Sequence, residues 1–137
     1  MKNNKTKNVY ENYVCPACFN RLHECSCKHG LLPHSLIMID KEIQEHVRIL
    51  NQKGYITLDS CESHNKYGNM YISFVLDYGF GDTLPLPKGF KKIKKNNAVS
   101  AMYDQRLTDE GMENKKNEYL KTLLDWCKDL PKRDIAY

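Results

Sequence analysis

Four of the six cysteines fall within thirteen residues, as Cys15-Pro16-Ala17-Cys18 and Cys25-Ser26-Cys27. Two cysteine pairs joined by a short arm can direct four thiolates at one tetrahedral centre, the ligand set of a structural Zn²⁺. The second pair is separated by one residue rather than two. That leaves two arrangements open: four-sulfur ligation, or a variant in which His23, His29 or His34 replaces one sulfur. A four-thiolate zinc keeps no open position for water, so the expected role is structural. A Cys-Pro-x-Cys sequence also occurs in thiol–disulfide enzymes, but there it sits between a strand and a long helix. Here Cys25, Cys27 and Gly30 follow too closely for such a helix. Zinc deaminases pair Cys-x-x-Cys with a separate His-x-Glu. This chain has His23 and Glu24 adjacent and no His-x-Glu.

A second constellation is Cys61-Glu62-Ser63-His64. A cysteine nucleophile needs an imidazolium beside its thiolate and a third group to orient the base, and Cys61, His64 and Glu62 supply those types. Cys61 and His64 also have metal-ligand spacing. The bland alternative is a buried strand-end cysteine followed by a polar turn. The sharpest charge run is Lys88, Lys91, Lys92, Lys94 and Lys95, with Phe90 inside it. Such a run is either a solvated loop or a surface for a phosphate backbone or an acidic protein face. Tyr71, Tyr78, Phe80 and Tyr103 are nearby aromatics that offer stacking platforms if exposed, or core if not. Trp126 reads as core or a helix-edge anchor, with an interface hot spot as the sharper alternative.

The elements that would position these groups follow from periodicity. Residues 1–12 form a lysine-rich lead-in with nothing to bury, read as a flexible basic tail that ends before the zinc module of residues 13–34. So small a module needs metal to fold. Residues 35–137 form the main domain. Ser35-Leu36-Ile37-Met38-Ile39 is an apolar run predicted as a strand buried on both faces. Asp40 is the expected N-cap of a helix to about Lys53, with Ile43, Val47 and Leu50 inward and Gly54 closing it. Residues 55–59 then read as a strand with Ile56 and Leu58 on one face. Strand, helix and strand predict a parallel βαβ unit with a right-handed crossover, which puts Cys61 to His64 at a carboxyl strand end, where α/β sheets bind ligands. Residues 70–76 are a third strand. A loop rich in glycine and proline follows to Gly89. Residues 90–103 predict an edge strand or two short helical turns. Thr108 caps a last helix, with Asp109 and Glu110 at its positive end and Leu130-Pro131 stopping it.

The fold class expected is α/β, with α+β as the alternative: a zinc knuckle joined to a three- to four-stranded sheet containing the βαβ unit, and a long C-terminal helix. At 137 residues, 41% hydrophobic and 28% charged, the chain suits one domain with an appendage. No apolar run reaches bilayer length and the N-terminus lacks the apolar segment of a signal peptide, so a cytoplasmic setting without membrane contact is expected. There, clustered cysteines favour metal over disulfides. A net charge of +4 is too mild to mark the whole chain as a nucleic-acid binder.

The cysteine-rich start, the apolar strand ending at Asp40, Ile49-Leu50-Asn51-Gln52-Lys53-Gly54-Tyr55-Ile56-Thr57 leading to Ser60-Cys61-Glu62-Ser63-His64, and the strand from Met70 to Leu76 together resemble small phage and prophage proteins of Gram-positive bacteria. The resemblance spans about Cys15 to Leu76. It implies a zinc-containing α/β domain of viral origin and leads one to expect glycine where this chain has Ser63. By analogy of context it implies an inhibitor of host defence, of anti-CRISPR type, whose partner is a host protein such as a CRISPR effector nuclease. The function expected is therefore a non-enzymatic, zinc-stabilised binding protein acting in the host cytoplasm. Its alternatives are a nucleic-acid-binding protein using the lysine run, and a small nucleotide-binding protein or enzyme centred on Cys61 and His64.

Overall fold

The computed structural model describes residues 13–14, 37–63 and 67–133. The four candidate zinc ligands Cys15, Cys18, Cys25 and Cys27, and His64, lie outside the described residues.

The architecture is mixed α and β. Strand β1 (Tyr13–Val14) pairs antiparallel with β2 (Ile37–Met38). A 3-10 turn (Lys41–Ile43) leads into helix α1 (Gln44–Gln52). Strands β3 (Thr57–Cys61), β4 (Asn69–Phe74), β5 (Lys91–Ile93) and β6 (Ala98–Met102) form one antiparallel sheet in the order β3-β4-β6-β5. Helix α2 (Asp109–Asp129) closes the domain. Thr108 caps it, its hydroxyl accepting from the Gly111 N–H at 3.0 Å, an arrangement worth about 1 kcal/mol.

The parallel βαβ unit is not formed. Ile37–Met38 pairs with Tyr13–Val14 and not with β3, and every pairing in the larger sheet is antiparallel. An unbroken apolar run does not reveal its partner, and here its end serves the core directly, with Ile39 buried below the sheet. Asp40 does not cap a helix with its side chain; its Oδ2 accepts from the Glu62 N–H at 3.2 Å instead. The strand expected at 55–59 begins two residues later. A register shift between Thr57 and Asp59 breaks the expected alternation, and Leu58 is 70% exposed. Residues 90–103 fold as a hairpin, β5, a 3-10 turn (Lys94–Asn96) and β6, with Asn97 at φ 52° making the reversal. Asparagine is among the few side chains that tolerate that region.

Other expectations hold. Ile43, Val47 and Leu50 are buried and Gly54 at φ 96° follows α1. Of the apolar positions at helical spacing in the last helix, Met112, Tyr119, Leu120, Leu123, Leu124 and Cys127, those buried are Tyr119, Leu123 and Cys127, joined by Trp126 from the flank. These side chains meet Met70, Ile72 and Phe74 of β4 and Val99 and Ala101 of β6 in one core. Both helices therefore lie against the same face of the sheet. Each fully buried large side chain contributes about 1.5–3 kcal/mol. The polar loop after β4 also contributes, since Phe80 is buried against Phe74, Tyr55 and Trp126.

Polar contacts fix the helices in place. Buried Asn51 donates to Val47 O at 2.8 Å and Thr57 Oγ1 at 2.9 Å, and accepts from the Thr57 N–H at 3.2 Å, tying α1 to β3. The Lys53 ammonium donates to Cys127 O at 2.9 Å and Leu130 O at 2.6 Å, and also to Lys128 O. A cation there satisfies the carbonyls that end α2 and offsets its negative pole. Tyr55 Oη donates to Pro131 O at 2.6 Å, and Arg133 donates to Gly54 O while stacking 4.5 Å from the Tyr78 ring. No helix among the described residues is long and apolar enough to cross a membrane.

Candidate functional site

Strand alternation sorts the sheet into two chemistries. Met70, Ile72, Phe74, Val99 and Ala101 face the helices. Asn69, Tyr71 and Ser73 on β4, with their register partners Met102, Ser100 and Ala98 on β6, face the other way. Lys91 and Ile93 of β5 pair with Ser100 and Ala98 and share that second face, and Asp59 of β3 pairs with Ser73 on it. No described element covers this face. It forms an open concavity of about 700 Å³, with Tyr67 and Asn96 at its margins.

The centre of the concavity is held by hydrogen bonds. Tyr71 Oη donates to Asp59 Oδ2 at 2.8 Å, and Asn69 Nδ2 donates to Ser100 Oγ at 2.5 Å. Desolvation and then the Asp59 carboxylate push the Tyr71 phenol up to about 12, so it stays a neutral donor. Around these groups stand exposed apolar side chains, Tyr67 and Met102 at 69% and Ile93 at 41%. Large apolar groups left open on one face mark a place where something binds.

The lysine run is divided by this geometry. Lys91 lines the concavity. Lys92 points to the opposite side, where its ammonium meets Asp77 at 2.7 Å with only 15% of its side chain exposed. That contact and the Gly79 N–H hold the exposed Asp77 carboxyl below its usual range. Lys88, Lys94 and Lys95 are exposed around β5. The exposed positive charge is thus Lys91 on the outermost strand, Lys88 in the turn before it, and Lys94 and Lys95 in the 3-10 turn after it. Lysine on an edge strand also discourages edge-to-edge pairing, but Lys91 is turned onto the face.

The aromatic candidates separate in the same way. Tyr71 lies on the open face. Phe80 and Tyr103 are buried, Tyr78 packs edge-on against Tyr55 and Phe74, and Trp126 is core, its indole N–H donating to Pro85 O at 2.8 Å. Sequence reasoning missed Tyr67, Met102, Ile93 and Ser100. For Ser100 and Met102 the signal is the two-residue period of the strand 98–102, which puts them on one face once the strand is recognised; Ile93 follows from its pairing with Ala98, and Tyr67 carries no such signal.

The Cys61–Glu62 corner lies at the end of an antiparallel outer strand, so the rule that parallel strands carry ligands at their carboxyl ends does not apply to it. Glu62 is buried and accepts at Oε2 from Lys116 at 2.9 Å, and Lys116 also reaches Glu42 at 3.3 Å. Burial alone would lower the Lys116 pKa, but its pairing with Glu62 and Glu42 outweighs this and raises it. Ser63 is buried at φ 72°, the region where the sequence resemblance leads one to expect glycine. Its N–H donates to Cys61 Sγ at 3.3 Å. Burial, followed by the Asp40 and Asp59 charges, raises the Cys61 thiol above its ordinary value despite that hydrogen bond. This is the reverse of what an activated nucleophile needs. The corner ties the 3-10 turn, β3 and α2 together. Nearby, the buried Tyr103 hydroxyl has no hydrogen-bond partner, and burial pushes it up to about 12. Cys127 is fully buried and burial raises it likewise to about 12. Among the described residues no group of His, Cys, Asp and Glu side chains is placed to hold a metal ion.

Compared with known proteins, the chain matches no family model, and no curated protein or solved structure is significantly similar to it.

Proposed function

We propose that the protein is a non-enzymatic binding protein, held at its N-terminus by zinc on Cys15, Cys18, Cys25 and Cys27, that engages an anionic partner through the open face of its four-stranded sheet. One observation carries the reading: both helices pack on the same side, and the other side is a 700 Å³ concavity with Lys91 in its lining and Lys88, Lys94 and Lys95 beside its outer strand. Lys91 in the lining, with the exposed Lys88, Lys94 and Lys95 flanking the same edge strand in sequence, concentrates positive charge on one side of the sheet that the mild net charge conceals. An enzyme built on Cys61 is disfavoured because the thiol is held protonated and Glu62 is engaged by Lys116. The sequence resemblance to phage proteins points to a partner in host defence. A CRISPR effector nuclease, which carries its guide RNA in a charged channel, is the first to test.

Retention on immobilised heparin tests the anionic part of the reading. The triple variant Lys91→Glu, Lys94→Glu, Lys95→Glu is expected to elute at clearly lower salt than the parent protein. A control with the same charge change, Lys121→Glu, Lys128→Glu, Lys132→Glu, alters exposed lysines remote from the face and is expected to shift less. Equal shifts would mean that overall charge alone governs retention, and the reading would fail.

A further inference from the structure

We infer that the ligand of the open face is a single-stranded nucleic acid, its phosphates running along the β5 rim and its bases turned inward onto Tyr71. The inference rests on the proposal that this face is the binding surface, and it names the partner's chemistry.

The face is graded from one side to the other. Lys91, with Lys88, Lys94 and Lys95 near it in sequence, and Ile93 lie at the β5 side; Tyr71 and Met102 occupy the two central strands; Asp59 lies on the far strand, β3. Three inter-strand gaps separate those sides, about 14 Å. An acidic protein surface laid across the sheet would meet positive charge on one side only and the Asp59 carboxylate on the other. A duplex would bring a second phosphate backbone toward that carboxylate, with its bases stacked inside and out of reach. A single strand has segregated chemistry that matches the grading. Its phosphates take the lysines, its base faces take the Tyr71 ring and the apolar groups beside it, and base N–H donors find an acceptor in the exposed Asp59 carboxylate. Four antiparallel strands with two helices behind and an aromatic on a central strand is also a geometry that stacks bases in RNA-recognition modules. Here only one central strand supplies an aromatic. Tyr67, at the turn before β4, is the second ring on the concavity.

The Tyr71 hydroxyl is bound to Asp59, which holds the ring in one orientation. Fixing a platform before binding reduces the ordering cost when a base arrives.

Fluorescence anisotropy with a short labelled single strand tests this, run as RNA, as DNA of the same sequence, and as the corresponding duplex. Binding of either single strand more tightly than the duplex supports the inference. Tyr71→Ala is expected to weaken binding roughly five- to hundredfold with little change in salt dependence, and Tyr71→Phe, which keeps the ring, to retain most of it. Lys91→Ala is expected to reduce the slope of log affinity against log salt by about 0.7. Met102→Asp, at a position 69% exposed and so harmless to folding, is expected to weaken binding if Tyr71→Ala fails to fold. Duplex binding as tight as single-strand binding, or affinity indifferent to both Tyr71→Ala and Met102→Asp, overturns the inference. Absence of single-strand binding while heparin retention still depends on Lys91, Lys94 and Lys95 overturns the nucleic-acid assignment alone. Loss of both dependences overturns the surface itself.

Discussion

His46 sits between the helices, 4% exposed, with Nε2 2.7 Å from Leu120 O. A carbonyl only accepts, so Nε2 carries the proton and Nδ1 is left bare, buried without a partner. Burial disfavours the imidazolium and lowers the His46 pKa below 6.5, against the raising effect of the Leu120 and Ile43 carbonyls and Glu45; Lys128 adds to the lowering. The unfolded chain therefore binds this proton first as pH falls. The stabilising contribution is complete above about pH 6.5 and is lost below it, toward the lowered folded value. Thermal melts from about pH 7 to about pH 5 should show a shallower loss of Tm for His46→Gln than for the parent protein. Identical slopes would remove His46 from the account. Other residue-scale features were legible in type but not in direction. The lysine run announced charge, yet only pairing across β5 and β6 shows that Lys91 joins the open face and Lys92 turns to Asp77. Ser63 gave no hint of its φ of 72°, because serine in a strand-end turn is ordinary until the backbone is seen.

At the scale of elements, the helices and the strand that became β4 were readable, and the pairing of the sheet was not. Helical periodicity is local, so Ile43, Val47 and Leu50, and then Tyr119, Leu123 and Cys127, mark their own buried stripes. Strand pairing is non-local: Ile37–Met38 has a helix after it and a strand beyond, the order of a βαβ unit, and still pairs with Tyr13–Val14. The bulge at Thr57 and Asp59 also breaks the alternation from which the face of Leu58 was inferred. The β1–β2 pair has a functional corollary, because it joins the first residues of the cysteine module to the segment entering α1. If zinc on the four cysteines holds that module, Cys18→Ser should lose the bound zinc while the four-stranded sheet and both helices stay folded. Zinc content by mass spectrometry, together with circular dichroism, checks this. One equivalent of zinc retained with unchanged stability would contradict the four-cysteine assignment.

For the whole molecule, placing both helices on one side of the sheet separates stability from binding. The apolar core, the Asn51 and Lys53 ties and the Glu62–Lys116 pair all lie away from the open face or at its ends. Substitutions at exposed positions such as Met102 can then alter binding without unfolding the protein. Nothing in composition conveys this, since a net charge of +4 is an average over the chain and the face depends on where four lysines and one tyrosine come to lie. The most direct test is an amide-resolved NMR titration of the labelled protein with a short single-stranded oligonucleotide. The expected result is chemical-shift change concentrated at Tyr71, Lys91, Ser100 and Met102, with α1 and the exposed side of α2 unmoved. Shifts gathered instead on α2, or around the exposed Leu58, Val75 and Leu76, would contradict the assignment of the open sheet face as the binding surface.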